Sequence, residues 1–459
     1  MQVAGKRMLV VGLGKSGLAA VRLLAARGAQ VIANDLRSDT QLGETADAVR
    51  ATGAELVLGS HEAQLFTSVD GIVLSPGVPP MAALQAADAA GIPVASEVEL
   101  ASWFIPEPGP CVIGITGTNG KSTVTTLVGE MCKASGAPTF VGGNLGTPFT
   151  DVVGTPASEP GGYVVVELSS YQLERVKQLH VSVAALLNVT DDHLDRYASF
   201  DEYAEAKANI FGCQRASDAA VVASGDALCA RLARRGPAKL HLFGGLAPAS
   251  DAEVYVDDGV ITDRVTGPML PVAQLRIAGA HNVSNACAAA LCARLAGVAP
   301  EHIRNVLASF AGLPHRMVHV TDIGGVSFYD DSKATNVGAT VAALDGLAPM
   351  AKKIVLIAGG KDKGGDYGPM RDRLRSVARG VVLIGEAAPI IYNALRDENY
   401  PVESADSLES AIACARSMAH PGDAVLLAPA CASFDMFKSY AHRGDVFQAT
   451  VLAMKGGAA

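Results

Sequence analysis

No stretch of this chain approaches the roughly 20 uncharged residues that a membrane-spanning helix requires. Nor is there a block of lysine or arginine long enough to serve as a nucleic-acid arm or a membrane patch. The formal net charge is −9 and only 18% of residues are charged, so an anionic ligand has to be held by local devices: single lysines, helix N-termini or a metal ion. The eight cysteines are scattered and none pairs as CxxC. That excludes a zinc framework or a disulfide scaffold and points to a reducing cytoplasm. A leader peptide is not expected either, because Gly12, Gly14, Lys15 and Gly17 interrupt the apolar run after Lys6 and Arg7, as a strand entering a helix would.

What the sequence does contain is a regular alternation of short apolar runs with helical patterns. Met8–Val11, Ala29–Ala33, Gly71–Leu74, Val112–Ile115, Tyr163–Val166, Val183–Leu187, Ile354–Ile357, Val381–Ile384 and Ala424–Leu427 are continuous Val/Ile/Leu/Ala-rich runs without polar alternation. Strands buried on both faces of a parallel sheet have this composition, and their alternation with helices predicts a doubly wound α/β fold. The 459 residues exceed one core. Breaks at Ile105–Pro110 and at Gly312-Leu313-Pro314 divide the chain into three α/β domains, expected near 1–105, 106–312 and 313–459.

The strongest motif is Val112-Ile113-Gly114-Ile115-Thr116-Gly117-Thr118-Asn119-Gly120-Lys121-Ser122-Thr123. A buried strand enters a glycine turn and Lys-Ser-Thr opens a helix, expected over Val124 to Lys133. Such a turn wraps backbone N–H groups around a triphosphate, with the lysine on the β/γ-phosphates and the serine on Mg²⁺. Ile115 stands where the strict GxxxxGK[ST] pattern has its first glycine, so this is a variant loop with Gly117 as its inner glycine. Glu167 ends the next apolar strand, where a Mg²⁺ ligand or merely a helix N-terminal charge would sit. Asp191-Asp192-His193-Leu194-Asp195-Arg196 follows another strand, which leaves His193 equally open to a ligand or a structural role. Lys207, in the helical stretch Phe200–Ile210, reads as a solvated surface charge. In the first domain, Gly12-Leu13-Gly14-Lys15-Ser16-Gly17 with Asp35 after the next strand forms a dinucleotide fingerprint that suits NAD, and hence an oxidoreductase, or any nucleoside diphosphate.

Together, Thr116–Ser122, Glu167–Gln172, Asn188-Val189-Thr190 with Asp192–Tyr197, Gly279-Ala280-His281-Asn282, Leu313-Pro314-His315-Arg316, Asp330–Asn336 and Ala430–Asp435 resemble the Mur ligases of bacterial cell-wall synthesis over nearly the whole chain. The resemblance implies an ATP-dependent ligase that activates a carboxylate as an acyl phosphate and couples it to an amino acid. In the branch these motifs resemble, that step joins UDP-N-acetylmuramoyl-L-alanine and D-glutamate.

It also implies a fold, a Rossmann-like first domain, a central phosphate-loop domain and a Rossmann-like third domain, together with a set of residue roles. Gly117, Thr118, Asn119, Gly120, Lys121, Ser122 and Thr123 would hold ATP, with Asn282, Asn285, Arg316 and Asp331 gripping it across the second and third domains. Ser122, Glu167, His193 and Lys207 would hold two Mg²⁺ ions, Lys207 as a carbamate, and Asn144 would contact the substrate or the metal shell. Ser16, Asp35, Arg37, Ser75 and Gly77, with Asn144 and His193, would hold the UDP substrate. Thr335, Lys363, Ser433 and Tyr440 would choose the amino acid, with Lys361 an alternative to Lys363. No Asp-Asn-Pro-Arg motif of the diaminopimelate-adding relative occurs. A folylpolyglutamate-type ligase would lack the nucleotide-binding first domain, an oxidoreductase leaves Lys121, Glu167 and His193 without a role, and a nucleotide-gated switch would use ATP without ligating anything. A monomer is the expected state. Glutamate stereochemistry stays open.

Overall fold

A computed structural model describes residues 2–192, 196–247, 249–277 and 279–457. Three sheets follow one another along the chain. The first has five parallel strands in the order Glu55–Leu58, Gln30–Asp35, Arg7–Val11, Gly71–Leu74, Val94–Ser96. The chain reverses direction across the sheet between Arg7–Val11 and Gly71–Leu74, the position at which such sheets open a ligand crevice. The glycine turn Gly12–Gly17 lies there.

The second sheet is built around Cys111–Thr116, flanked by Tyr163–Glu167 and Val183–Leu186, all parallel. Thr139–Gly143 lies outside Tyr163–Glu167. Ala219–Ala223 and Lys239–Phe243 extend the other side, and the antiparallel strands Val254–Asp257, Val260–Asp263 and Gly267–Pro271 close that edge. The unbroken apolar runs are buried on both faces as their composition predicts: Ile113, Ile115 and Val165 pack on one side, and Val112, Val164 and Val166 on the other. The helix after the phosphate loop runs over Lys121–Ala134, opening at Lys-Ser-Thr and taking in Val124 to Lys133. Val124, Leu127, Val128, Met131 and Cys132 are buried, the i, i+3, i+4, i+7, i+8 stripe of a helix laid on a sheet, and they meet Ala286–Ala293 of the helix Ala280–Leu295 in the same core.

The third sheet runs Val318–Ile323, Val326–Asp330, Ala424–Leu427, Ile354–Gly359, Ala378–Ile384, Val402–Ser404, with only the first pair antiparallel. Among the described residues no helix is long and apolar enough to cross a membrane.

The first sheet's unit is tied to the second by buried carboxylates. Glu99 Oε2 accepts the backbone N–H groups of Lys177, Gln178 and Leu179 at 2.9, 3.0 and 3.2 Å. Glu97 Oε1 accepts the N–H and hydroxyl of Thr150 at 2.6 and 2.9 Å. Burial pushes the Glu97 carboxyl up to about 7 from its ordinary 4.5, with the Thr150 hydrogen bonds opposing. The folded chain therefore keeps a proton that the unfolded chain releases between these values. Stability from this group is complete below pH 4.5 and is lost as pH rises through 7, a change of about 3 kcal/mol. Calorimetry at pH 5 and pH 8 should show a smaller fall in unfolding temperature for Glu97→Gln than for the parent chain; equal falls would show that Glu97 does not carry the effect.

Candidate functional site

The catalytic candidates sit where strands of the second and third sheets end. Gly120, the N-cap of Lys121–Ala134, has φ 83° and caps with no side chain, so the first N–H groups of that helix are left for a ligand. Gly120 must stay without a Cβ for a second reason: one would lie 2.4 Å from Asn285 Oδ1, which the helix Ala280–Leu295 brings against the loop. The Lys121 amine is turned inward, donating to the Gly117 and Thr118 carbonyls at 2.8 and 2.7 Å. Burial pushes it below the ordinary lysine range, against the attraction of Glu167 and Asp192.

Thr118, Asn119, Gly120, Lys121, Ser122, Thr123, Asn144, Glu167, Lys207, Asn282, Asn285, Arg316, Asp331, Thr335 and Lys363 all line one cavity of about 610 Å³ between the second and third sheets. Arg316 reaches across to donate 3.1 Å to Ser122 Oγ. Asp331 is pushed up to about 7 by burial, with Arg316 opposing. Glu167 Oε1 accepts Asn144 Nδ2 at 2.6 Å, while the buried Oε2 has no hydrogen-bond partner. Burial acts to raise this carboxyl, but Lys121, Ser122, Asn144 and Lys333 together bring it below the ordinary carboxylate range. A charged oxygen left over beside a serine hydroxyl and a phosphate loop fits a hard divalent cation. Among the described residues no three His, Cys, Asp or Glu side chains gather as a metal set, so phosphate and water oxygens would complete the coordination, as Mg²⁺ accepts. His193 lies outside the described residues.

Lys207 corrects the reading of its helix as solvent-facing. It is 1% exposed, because Phe200–Ala208 turns Tyr203 and Lys207 towards the phosphate loop. Its amine donates 3.0 Å to the Gly117 carbonyl and stands 4.4 Å from the Tyr203 ring centre. Burial, then the Lys121 charge, hold it well below the ordinary lysine range.

In the first domain Ser16, Asp35, Arg37, Ser75 and Gly77 line a separate cavity of about 370 Å³. Asp35 accepts the Leu13 N–H at 2.7 Å and pairs with Arg37 through both oxygens at 2.9 and 2.7 Å. Burial alone would raise its carboxyl, but Arg37 and these backbone donors lower it to about 2.

The amino-acid candidates are brought together only in part. Thr335 and Lys363 line both the large cavity and a neighbouring one of about 280 Å³. Ser433 is buried and Tyr440 lies with its ring 3.9 Å from Lys333 Nζ; neither lines a described cavity. Lys361 is exposed, bonded through its backbone to Ala432, which leaves Lys363 as the lysine facing the cavities.

Residues 6–96 match the Mur ligase MurD-like N-terminal domain, 115–293 the Mur ligase middle domain and 315–431 the Mur ligase glutamate ligase domain. The UDP-N-acetylmuramoylalanine–D-glutamate ligase of Geotalea daltonii is 42% identical, with 100% of this chain and 99% of the relative covered. That of Myxococcus xanthus is 43% identical over 99% and 100%. The chain belongs to the Mur ligase family. Its fold is also that of a pseudomurein peptide ligase type C from Methanothermus fervidus, with TM-score 0.61 and 21% identity over 98% of this chain and 100% of that one.

In this Mur ligase several residues in or behind the cavity wall carry no sequence signal of their own. Lys333 is lowered to about 8 by burial and by Arg316. Asn336 caps the helix Val337–Leu347 and donates to Asn119 Oδ1 and Asp192 Oδ2 at 3.3 and 3.1 Å, joining the third domain to the phosphate loop. Arg443 is wholly buried and donates to the Ser332 and Cys431 carbonyls at 3.0 and 3.3 Å, clasping the loops that carry Lys333 and Ser433. Only the Asp330–Asn336 motif marked any of these in advance.

Proposed function

We propose that the chain is an ATP-dependent ligase that joins D-glutamate to UDP-N-acetylmuramoyl-L-alanine through an acyl phosphate, in peptidoglycan precursor synthesis. One observation carries this reading: the phosphate loop, the unpartnered Glu167 oxygen and the lysines Lys333 and Lys363 of the third domain open onto a single cavity. Relatives matched end to end bear that activity in their names. The three domains, 1–105, 106–312 and 313–459, would take the UDP substrate, ATP and the amino acid in turn.

ATP enters with its phosphates on the free N–H groups of Gly120–Thr123, and Lys121 leaves the loop carbonyls to meet the β/γ-phosphate oxygens. Asn282, Asn285, Arg316 and Asp331 grip the nucleotide across the junction of the second and third domains. Mg²⁺, as two ions held by Ser122, Glu167, His193 and a carbamate on Lys207, would offset the repulsion between the acceptor carboxylate and the γ-phosphate. The acceptor, held at Ser16, Asp35, Arg37, Ser75 and Gly77, presents its alanyl carboxylate in line with the γ-phosphorus; the carboxylate oxygen bonds to phosphorus, the bond to the β–γ bridging oxygen breaks and ADP leaves, with Lys121 drawing off the developing charge. The amino acid docks its carboxylates on Lys363, Thr335 and the loop carrying Ser433. Its amine attacks the acyl carbon and phosphate leaves. The chain would act as a monomer on small molecules in the cytoplasm.

Phosphate release from Mg-ATP and UDP-N-acetylmuramoyl-L-alanine should require D-glutamate. Release stimulated instead by L-glutamate or diaminopimelate would reassign the amino acid. No release with any of the three would overturn the ligase reading.

A further inference from the structure

Arg196 spends every face of its guanidinium at the seam between the first domain and the phosphate-loop domain. Nε and NH2 donate to the two carboxylate oxygens of Glu174 at 3.0 and 2.8 Å. The plane lies over Tyr171, 4.4 Å from its ring centre. NH1 donates 3.0 Å to the carbonyl of Val78, across the seam. A planar fork gives both carboxylate oxygens a bond of their own while its face lies on the ring and its third nitrogen meets the carbonyl, a geometry that an ammonium does not reproduce.

Both ends of this contact lead to a ligand site. Val78 lines the first-domain cavity and packs so closely on the glycine turn that a Cβ on Gly12 would lie 2.7 Å from its Cγ2. Ser75 of the same turn donates 2.6 Å to the Gly12 carbonyl. On the other side Glu174 accepts the Tyr197 hydroxyl at 2.6 Å. Tyr197 stacks on Tyr171 and packs on Tyr203, with ring centres 6.1 and 5.4 Å apart. The Tyr203 hydroxyl lies 3.2 Å from Thr118 Oγ1 in the phosphate loop, and its ring is the one facing Lys207. Glu174 also adjoins the segment that Glu99 pins through three N–H groups. A continuous packed line thus runs from the first-domain glycine turn to the phosphate loop.

We infer that Arg196 is a positioning residue that sets the span between the UDP-substrate pocket and the phosphate loop, so that the acceptor carboxylate arrives within reach of the γ-phosphorus. This rests on the function proposed above. It predicts a particular split, because Arg196 and Glu174 line neither the phosphate-loop cavity nor the one beside it. Arg196→Met should raise KM for the UDP substrate and lower kcat by about 10- to 100-fold, the cost of a misplaced reactant. Binding of Mg-ADP and KM for ATP should stay within about twofold. Arg196→Lys should recover only part of the loss. Glu174→Gln, which keeps the shape, should reproduce the split in milder form, and Arg196→Met with Glu174→Gln should be no worse than Arg196→Met alone, since both act through one contact.

The inference is overturned by wild-type kinetics in Arg196→Met, by ATP and UDP-substrate constants that move together, or by a loss matched by the fraction of unfolded protein. Should Arg196→Met fail to fold, Arg196→Lys and Glu174→Gln carry the same test. A parent chain that releases no phosphate with the UDP substrate counts against the proposed function instead.

Discussion

Lys121→Ala is expected to lower ATP-dependent phosphate release by about 10³-fold or more, the scale of losing a cation aimed at a transferring phosphoryl group. The reason is positional. The lysine opens the helix Lys121–Ala134 and its amine is already held at the mouth of the loop by the Gly117 and Thr118 carbonyls. Arg316 is engaged with Ser122, Lys207 with Gly117, Lys363 with Asp192 and Lys333 with the Tyr440 ring, so each of these neighbouring cations already has a contact of its own. Stability should change little: the two hydrogen bonds lost are worth roughly 1–3 kcal/mol, and removing an ammonium whose burial already disfavours its charge offsets part of that. Rates of phosphate release, read beside an unfolding curve, make the test. A folded variant that keeps a tenth of the activity would remove Lys121 from the phosphoryl site.

The second large effect concerns Lys207. An amine that is 1% exposed, beside a second lysine and held well below its ordinary range, gives up its proton more readily than an exposed lysine does. A neutral amine adds to CO₂: nitrogen bonds to carbon, a proton leaves to solvent, and the side chain ends in an anionic carbamate. Lys207→Ala should cut turnover by about 10²-fold or more. Acetate or formate should restore about tenfold of it by filling the vacated space with a carboxylate, and the parent chain should show a ¹³C carbamate resonance in labelled bicarbonate. Lys207→Ala indifferent to small carboxylates, together with no such resonance, would leave Lys207 as a plain buried ammonium donor to Gly117.

These two lysines show how unevenly the site was legible. Lys121 could be read because everything it needs is local: a strand, a glycine turn and a helix start within 12 consecutive residues. Glu167 and the Asn188–Asp192 stretch were legible as strand ends for the same reason. Lys207 was not, because burial depends on which face of Phe200–Ala208 meets the phosphate loop, and a helix with an almost even spread of apolar residues does not announce its inner face. The strands Val254–Pro271 also escaped, since their exposed positions break the continuous apolar runs by which the parallel strands were found.

Chain-local chemistry settled the α/β class, the phosphate loop and the strand ends that bear the acids, because strand propensity, glycine turns and helix starts depend on neighbours a few residues away. Tertiary packing alone decided the burial of Lys207 and Arg443, the choice of Lys363 over Lys361 at the cavity, and the contacts of Asn336 and Arg196. The bonds Lys207–Gly117, Asn336–Asn119, Arg196–Val78 and Arg443–Ser332 join segments about 90 or more residues apart. Partners so distant in the chain are selected by how whole sheets and helices dock, and no local pattern encodes that.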